Sequence, residues 1–326
     1  MAKIILNLLD NGIDYIYEAV EPMLKEHDNT KHLWKYSVLH LYSGIELLLK
    51  EKLRQEHWSL IFQDISSASS IKLEKGDFVS VYHDELIKRL QNISKVTLDD
   101  EPIKKLRDLR NRFEHFEIDI SLSECQNIVA AALDEIIKFW ETYLKLSSKA
   151  HQQTKFKTIK SIATEFEVYR QQRLNKFKEA IRGIKGSQNG VIVVCPDCSS
   201  FSFAVFKDDE KECKCFVCDE KYRKHDYLKN IRNLEEFLKT YTSPRYEPYD
   251  TICSSCQEET RIRYKISDGI TLYCCLNCLK NESVDLELKE RSISDLYEEI
   301  SEFLEGKFTD EEIHQIIQGL KKYENV

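Results

Sequence analysis

The sequence predicts a mainly α protein. An N-terminal helical bundle is followed by two small cysteine-bounded β-hairpin modules joined by helices, then by an acidic helical tail. Three observations carry this reading. Apolar residues recur at helical spacing through the first 148 positions. Ten of the eleven cysteines lie after residue 190. Charged residues make up 32% of the 326, against nine Gly and five Pro, a balance that suits helices in water.

The bundle covers residues 1–148. A first helix is expected over about 3–26, where Ile5, Leu8, Leu9, Ile13, Ile16 and Val20 share a stripe. A second is expected over about 31–56, with Trp34, Val38, Leu41, Ile45 and Leu48 at intervals of four and three. Ser-rich 65–70 and Lys75-Gly76-Asp77 break the pattern, and short helices follow near 84–92 and 101–115. Ser121-Leu122-Ser123-Glu124 has the spacing of a capping box and opens a helix to about Leu146. Phe116–Ile120 is then a linker, and His115 falls in the last turn of its helix. Cys125 lies on the apolar stripe Val129, Ala132, Ile136, Phe139, Tyr143 and reads as core packing.

Residues 149–190 form a basic helical linker, one amphipathic helix or a pair, with ten Lys/Arg against three Glu. Cysteine modules are expected at 191–226 and 249–280, separated by a helical linker over 227–248. The tail 281–326 carries Ile293, Leu296, Ile300, Phe303 and Leu304 on one helical stripe, and is strongly acidic. A net charge of −8 therefore does not exclude nucleic acid, because the field that matters is local. No apolar run reaches the roughly 18–20 residues that span a bilayer. Ile4-Ile5-Leu6 meets Asp10 and Asp14 too soon for a signal peptide, so a cytoplasmic location without membrane contact is expected.

Cys195-Pro-Asp-Cys198 precedes a strand-like Ser199–Phe206, and Cys215-Phe-Val-Cys218 closes the first module. Cys253-Ser-Ser-Cys256 precedes a strand over Arg261–Ile266, an Asp268-Gly269 turn, a strand over Ile270–Tyr273 and then Cys275-Leu-Asn-Cys278. Two residues between cysteines let both thiolates face one ion, and two such knuckles make a tetrahedral site. This is the zinc-ribbon pattern. Zinc suits four thiolates; iron in a rubredoxin-like site is the alternative. Cys213 and Cys274 are supernumerary and leave the third ligand of each site open. Four thiolates fill the coordination shell, so two structural zinc ions per chain and no catalytic metal are expected. Arg261, Arg263, Tyr264, Lys265 and Tyr273 interleave cations and rings as RNA-binding hairpins do. Lys155, Lys157, Lys160, Arg170 and Arg173 supply further cations for phosphates. A scaffold or protein-docking role for the ribbons is the competing reading.

Arg110-Asn111-Arg112-Phe113-Glu114-His115 ends a helical segment with a permanent cation and a group that titrates near neutral pH. On an ideal helix Arg110 and His115 lie about 140° apart, whereas Asn111 and His115 share a face. Either the last turn frays and both groups converge on one cleft, or Arg110 pairs with Glu114 on the surface. Glu46 interrupts the stripe Leu39, Tyr42, Leu49, Leu53. Its carboxylate either orients a catalytic group or pairs with Lys50.

The segment Leu106–His115 resembles the signature of the HEPN superfamily, and Ser43-Gly-Ile-Glu46-Leu-Leu-Leu-Lys50 resembles that family's second helix. The family motif is an arginine, usually followed by Asn, Asp or His, and a histidine a few residues on; here four residues separate Arg110 from His115. The resemblance covers about residues 1–148 and implies a metal-independent endoribonuclease acting as a homodimer on RNA, with Arg110, Asn111 and His115 at the catalytic site. It also implies a toxin or antiviral-defence role; the ribbons, outside the resemblance, are expected to engage nucleic acid or a regulatory partner. Family toxins silenced by nucleotidylation carry a tyrosine two places after the histidine; Glu117 stands there in this chain. Some members are inactive, and a non-catalytic adaptor is the alternative.

Overall fold

Two glycines set how closely the first helices approach. In the computed structural model, which describes residues 6–20, 23, 32–144, 150–185, 189–208, 210–231, 251–267, 270–279 and 281–286, α1 is Leu8–Val20 and α2 is Leu33–Glu56. A Cβ on Gly44 would lie 2.6 Å from Ile16 Cγ1 and 2.8 Å from the Gly12 carbonyl oxygen. One on Gly12 would lie 2.9 Å from Leu48 Cδ2. Backbone therefore meets backbone at this crossing, and the apolar stripes of both helices are buried around it.

After α2 the chain makes two 3-10 turns, Trp58–Ile61 and Ile65–Ser67, and a short α3, Ser70–Lys75, closed by left-handed Gly76. Arg89 on α4 (His83–Asn92) holds this irregular stretch in place. Its guanidinium donates to the carbonyls of Leu60 at 2.8 Å, Phe62 at 2.6 Å and Gln63 at 3.0 Å, and its Nε reaches Glu85. These are the orphan acceptors that a turn leaves over, so one buried cation does the work of a secondary-structure ladder.

Helix α5, Glu101–His115, starts beside α4. His83 Nε2 lies 2.9 Å from Asp100, which also takes Lys104 at 3.0 Å. Burial pushes the Asp100 carboxyl upward, but the hydrogen bonds and charges of His83 and Lys104 outweigh it and hold the group below the usual carboxylate range. The capping box expected at α6 (Leu122–Tyr143) is present: Ser121 Oγ accepts from the Glu124 amide at 3.1 Å. Cys125 is buried in the core as expected, and burial, helped by Glu124, pushes its thiol up to about 11.

The N-terminal unit does not end at 148. Helices α7 (Ala150–Glu165) and α8 (Glu167–Lys176) put Phe156, Ile159, Ile162, Phe166 and Tyr169 into the same core as α1, α2 and α6. The Trp140 and Phe156 rings are 4.3 Å apart, and Trp34 lies 5.6 Å from Phe166. The segment read as a basic linker is an amphipathic part of the bundle, and the compact unit runs to Gln172. Exposed cations such as Lys157 lie on the solvent side of these helices, whereas Arg173 is buried.

The second unit, Arg173–Val326, holds two antiparallel sheets. The first runs in the order β1 (Gly190–Val194), β2 (Phe201–Phe206), β3 (Cys213–Cys215) and β4 (Lys221–Tyr222). Helix α9, Lys178–Lys185, covers it through Ile181 and Ile184, against Ile192, Ala204 and Phe216. The second runs β5 (Arg261–Ser267), β6 (Ile270–Cys275), β7 (Asn281–Leu286). Residues 281–286, expected to begin the helical tail, are instead a third strand that pairs along the edge of β6 opposite β5, with Val284 opposite Leu272. The rest of the expected tail, residues 287–326, the Asp268-Gly269 turn and most of the 227–248 linker lie outside the described residues. The two sheets share one core, in which Ile262, Cys274 and Leu276 join Val193, Phe203, Val217 and Tyr227.

Two outcomes follow from these contacts. Gly44→Ala should overpack the α1–α2 crossing and cost about 1–3 kcal/mol, read as a lower Tm by circular dichroism. Asp100→Asn should be most destabilising at neutral pH. The native carboxylate's contribution is complete above the unfolded value of about 3.9 and is lost as pH falls through its depressed native value. Urea unfolding at a series of pH values should show the gap between the two proteins narrowing below about pH 4.

Candidate functional site

Each sheet of the second unit carries a cluster of four cysteine sulfurs. In the first, Cys195 Sγ lies 3.5 Å from Cys218 Sγ and Cys198 Sγ lies 3.6 Å from Cys215 Sγ. In the second, Cys253 to Cys278 is 3.7 Å and Cys256 to Cys275 is 3.6 Å. A tetrahedron with zinc–sulfur arms of about 2.3 Å has edges of about 3.8 Å. Within each cluster all four sulfurs lie within 4.8 Å of one another. The separations are far beyond a disulfide bond of about 2.05 Å.

The backbone around Cys215 and Cys253 is suited to a charged ligand. Cys215 Sγ accepts from the amides of Val217 at 3.3 Å and Cys218 at 3.4 Å; Cys253 Sγ accepts from those of Ser255 and Cys256 at the same distances. The residue after every knuckle is left-handed and is not glycine: Ser199, Asp219, Gln257 and Leu279, with φ between 56° and 60°. Each of these returns its amide to the first cysteine of its knuckle, at 3.0, 3.2, 2.9 and 2.8 Å respectively. The two modules also match in detail. Ser202 Oγ and Thr260 Oγ1 lie 3.2 Å from Cys215 Sγ and Cys275 Sγ, each four places beyond the second cysteine of its first knuckle.

Both clusters therefore fit zinc ribbons, each suited to one structural zinc ion held by four thiolates. Cys213 and Cys274 are outside both clusters and fully buried in the shared core, which settles the ligand sets left open by the sequence. With four protein ligands the shell is closed, so the ion would fix the fold and take no part in a reaction.

Arg173, expected among the RNA-binding cations, is buried instead. Its side chain is 2% exposed, its Nε donates to the Phe216 carbonyl at 3.0 Å, and its guanidinium pairs with Asp219, the left-handed residue after Cys218. It secures the second knuckle of the first ribbon. Among the other expected cations, Lys155 pairs with Asp14, Lys160 with Glu141 at 2.7 Å, and Arg170 with Glu167 at 3.6 Å, while Lys157 is exposed. On β5, Ile262 turns into the core between Arg261 and Arg263, and the Arg261 guanidinium lies 4.4 Å over the Tyr273 ring. Pairing sets Arg263 opposite Tyr273, Tyr264 opposite Leu272 and Lys265 opposite Thr271.

In the first unit, α5 buries Ile103, Leu106 and Leu109, which places Arg107, Arg110 and Glu114 along the edge of its buried stripe. Arg110 donates from Nη1 to Glu114 Oε2 at 2.8 Å and to Asn111 Oδ1 at 3.0 Å. Its Cζ lies 5.8 Å over the Tyr42 ring of α2, and its Nε is buried without a hydrogen-bond partner. His115 closes the helix with its side chain 63% exposed, and its Nε2 lies 3.7 Å from the same Glu114 oxygen. Arg110 and His115 therefore meet at one carboxylate oxygen although they point from different faces. Of the two roles open to Glu46, the structure shows the pair with Lys50, whose Nζ also donates to Ser80 at 2.9 Å. The Glu46 carboxylate also acts on Tyr42: burial first, then Glu46, pushes that hydroxyl well above its ordinary value. Sequence reading passed over Tyr42 as one more member of an apolar stripe.

No family model, curated protein or solved structure matches the chain. No helix among the described residues is long and apolar enough to cross a membrane.

The purified chain should contain two zinc ions, measured by plasma emission spectroscopy. Cys213→Ser and Cys274→Ser should keep both, whereas Cys215→Ser should lose one. Prolonged chelation should unfold the ribbons before the bundle, because ion binding there is folding free energy.

Proposed function

We propose that this chain is a metal-independent endoribonuclease acting as a dimer, with ribbons that engage nucleic acid or a regulatory partner in a toxin or antiviral-defence setting. One observation carries the reading. Arg110 and His115 converge on a single anionic oxygen of Glu114, at 2.8 and 3.7 Å, so the pair can address one phosphate oxygen.

In that reaction the His115 imidazole takes the proton from a ribose 2′-hydroxyl as its oxygen attacks phosphorus. The bond from phosphorus to the 5′-oxygen breaks, and that oxygen receives a proton from imidazolium. Arg110 balances the charge that builds on the phosphorane. Asn111 and the Tyr42 ring hold the guanidinium, and Glu46 sits behind Tyr42. The family resemblance supplies the dimer, in which two such motifs would face one groove.

A non-catalytic adaptor is the second reading. It is favoured by the partners that the Arg110 guanidinium already has in Glu114, Asn111 and the Tyr42 ring.

Purified protein incubated with mixed cellular RNA, with EDTA added briefly, should cleave it and leave 2′,3′-cyclic phosphate ends. Arg110→Ala and His115→Ala should each lower the rate at least about 100-fold with helicity intact. Strict magnesium dependence with 3′-hydroxyl ends would sink the mechanism. Equal activity of His115→Ala and wild type would leave the adaptor.

A further inference from the structure

His115 ends α5, and the residue after it turns away from the fold. From 116 to 120 the chain is neither helix nor strand. Ile118 and Ile120 alternate with Glu117 and Asp119 and pack against the bundle core. Phe116 belongs to the same alternation but does not pack. It is 72% exposed, more than any other large apolar side chain among the described residues. It forgoes the burial that its two isoleucine neighbours gain.

The ring is nonetheless anchored. The Phe116 amide donates to the Arg112 carbonyl at 3.0 Å, which ties its backbone to the last turn of α5. Its ring stands edge-on to the His115 imidazole, with centroids 6.4 Å apart and planes at 82°. An open aromatic face thus borders the pair formed by Arg110 and His115.

We propose that Phe116 is a stacking platform for a nucleobase, and that the substrate is single-stranded RNA with one base on this ring and the adjoining phosphate at Arg110 and His115. This rests on the nuclease reading above. The chemistry favours a base over a protein partner. The residues flanking Phe116 in sequence, Glu114, His115, Glu117 and Asp119, are exposed and polar, whereas a docking patch would be expected to be broad and apolar. Stacking needs only one ring, and every base offers a π-face. Bases inside a duplex are already stacked on one another and cannot reach it.

The test uses the full zinc-loaded chain and a labelled single-stranded 2′-O-methyl RNA, which binds but cannot be cleaved. Fluorescence anisotropy should show Phe116→Ala and Phe116→Leu weakening binding by about 5- to 150-fold, the range of one lost base stack. Phe116→Trp should bind as tightly as wild type. The same strand annealed to its complement should bind all four proteins alike. With cleavable RNA, the loss in Phe116→Ala should fall on KM rather than kcat. Binding by Phe116→Leu equal to wild type would overturn the proposal, because an apolar filler would then suffice. So would a change from dimer to monomer on sedimentation of Phe116→Ala, which would make the ring a protein contact, or a wild type that binds no single strand. Phe116-dependent binding without cleavage of unmodified RNA would remove the nuclease and leave the platform standing.

Discussion

The C-terminal unit depends on gathering eight sulfurs into two tight knots. Sulfurs about 3.6 Å apart, if both ionised, repel by about 5 kcal/mol even at an effective dielectric near 20. Four such charges in one buried cluster cannot coexist unaided, and a divalent cation at the centre reverses the sign of the sum. The local backbone is shaped to the same end. Four non-glycine residues accept left-handed geometry, at a cost of about 1–2 kcal/mol each, and each closes its knuckle by donating its amide to the carbonyl oxygen of the knuckle's first cysteine. Arg173 and the shared core, with Tyr227 stacked on Phe203 at 4.6 Å, build outward from the frame that such an ion would set.

The N-terminal unit solves a different problem. Its core is large enough to stand on apolar burial, and polar side chains are spent on the irregular places. Arg89 gathers three turn carbonyls, and Asp100 joins the starts of α4 and α5. The second of these fixes α5 at one end. The consequence reaches the other end of the helix, where Arg110, Glu114 and His115 are carried on a rod already aligned against Tyr42 of α2.

Periodicity and spacing made much of this legible in the sequence. The bounds of α2, α4 and α5, the capping box at Ser121 and the paired cysteine knuckles follow from residue patterns that local physics reads directly, whereas the exclusion of Cys213 and Cys274 needed the fold. Other features depend on contacts between distant residues. Helices α7 and α8 look basic along the chain, yet Phe156, Ile159 and Phe166 decide their place, because a buried stripe outweighs the charge of the opposite face. Strand β7 is polar and short, and only pairing along the edge of β6 makes it a strand. Arg173 reads as a phosphate ligand until Asp219, some forty positions later, claims it. Tyr42 is invisible for the converse reason. Its aromatic ring suits a core stripe, and nothing local shows that Arg110 lies over it.

The two cysteines left out of the metal clusters give the C-terminal unit a particular vulnerability. Cys213 and Cys274 are fully buried in the core that both ribbons share. With an ion in each cluster, eight thiols would be capped by coordination and two by packing, so all ten would resist oxidants. Loss of either ion would loosen the packing that shields the remaining pair and expose the thiols to oxidation and then exchange. Ten cysteines can pair in far more wrong ways than right ones. Demetallation in air would then lead toward scrambled disulfides, which makes the unit's durability a matter of redox kinetics as much as of equilibrium.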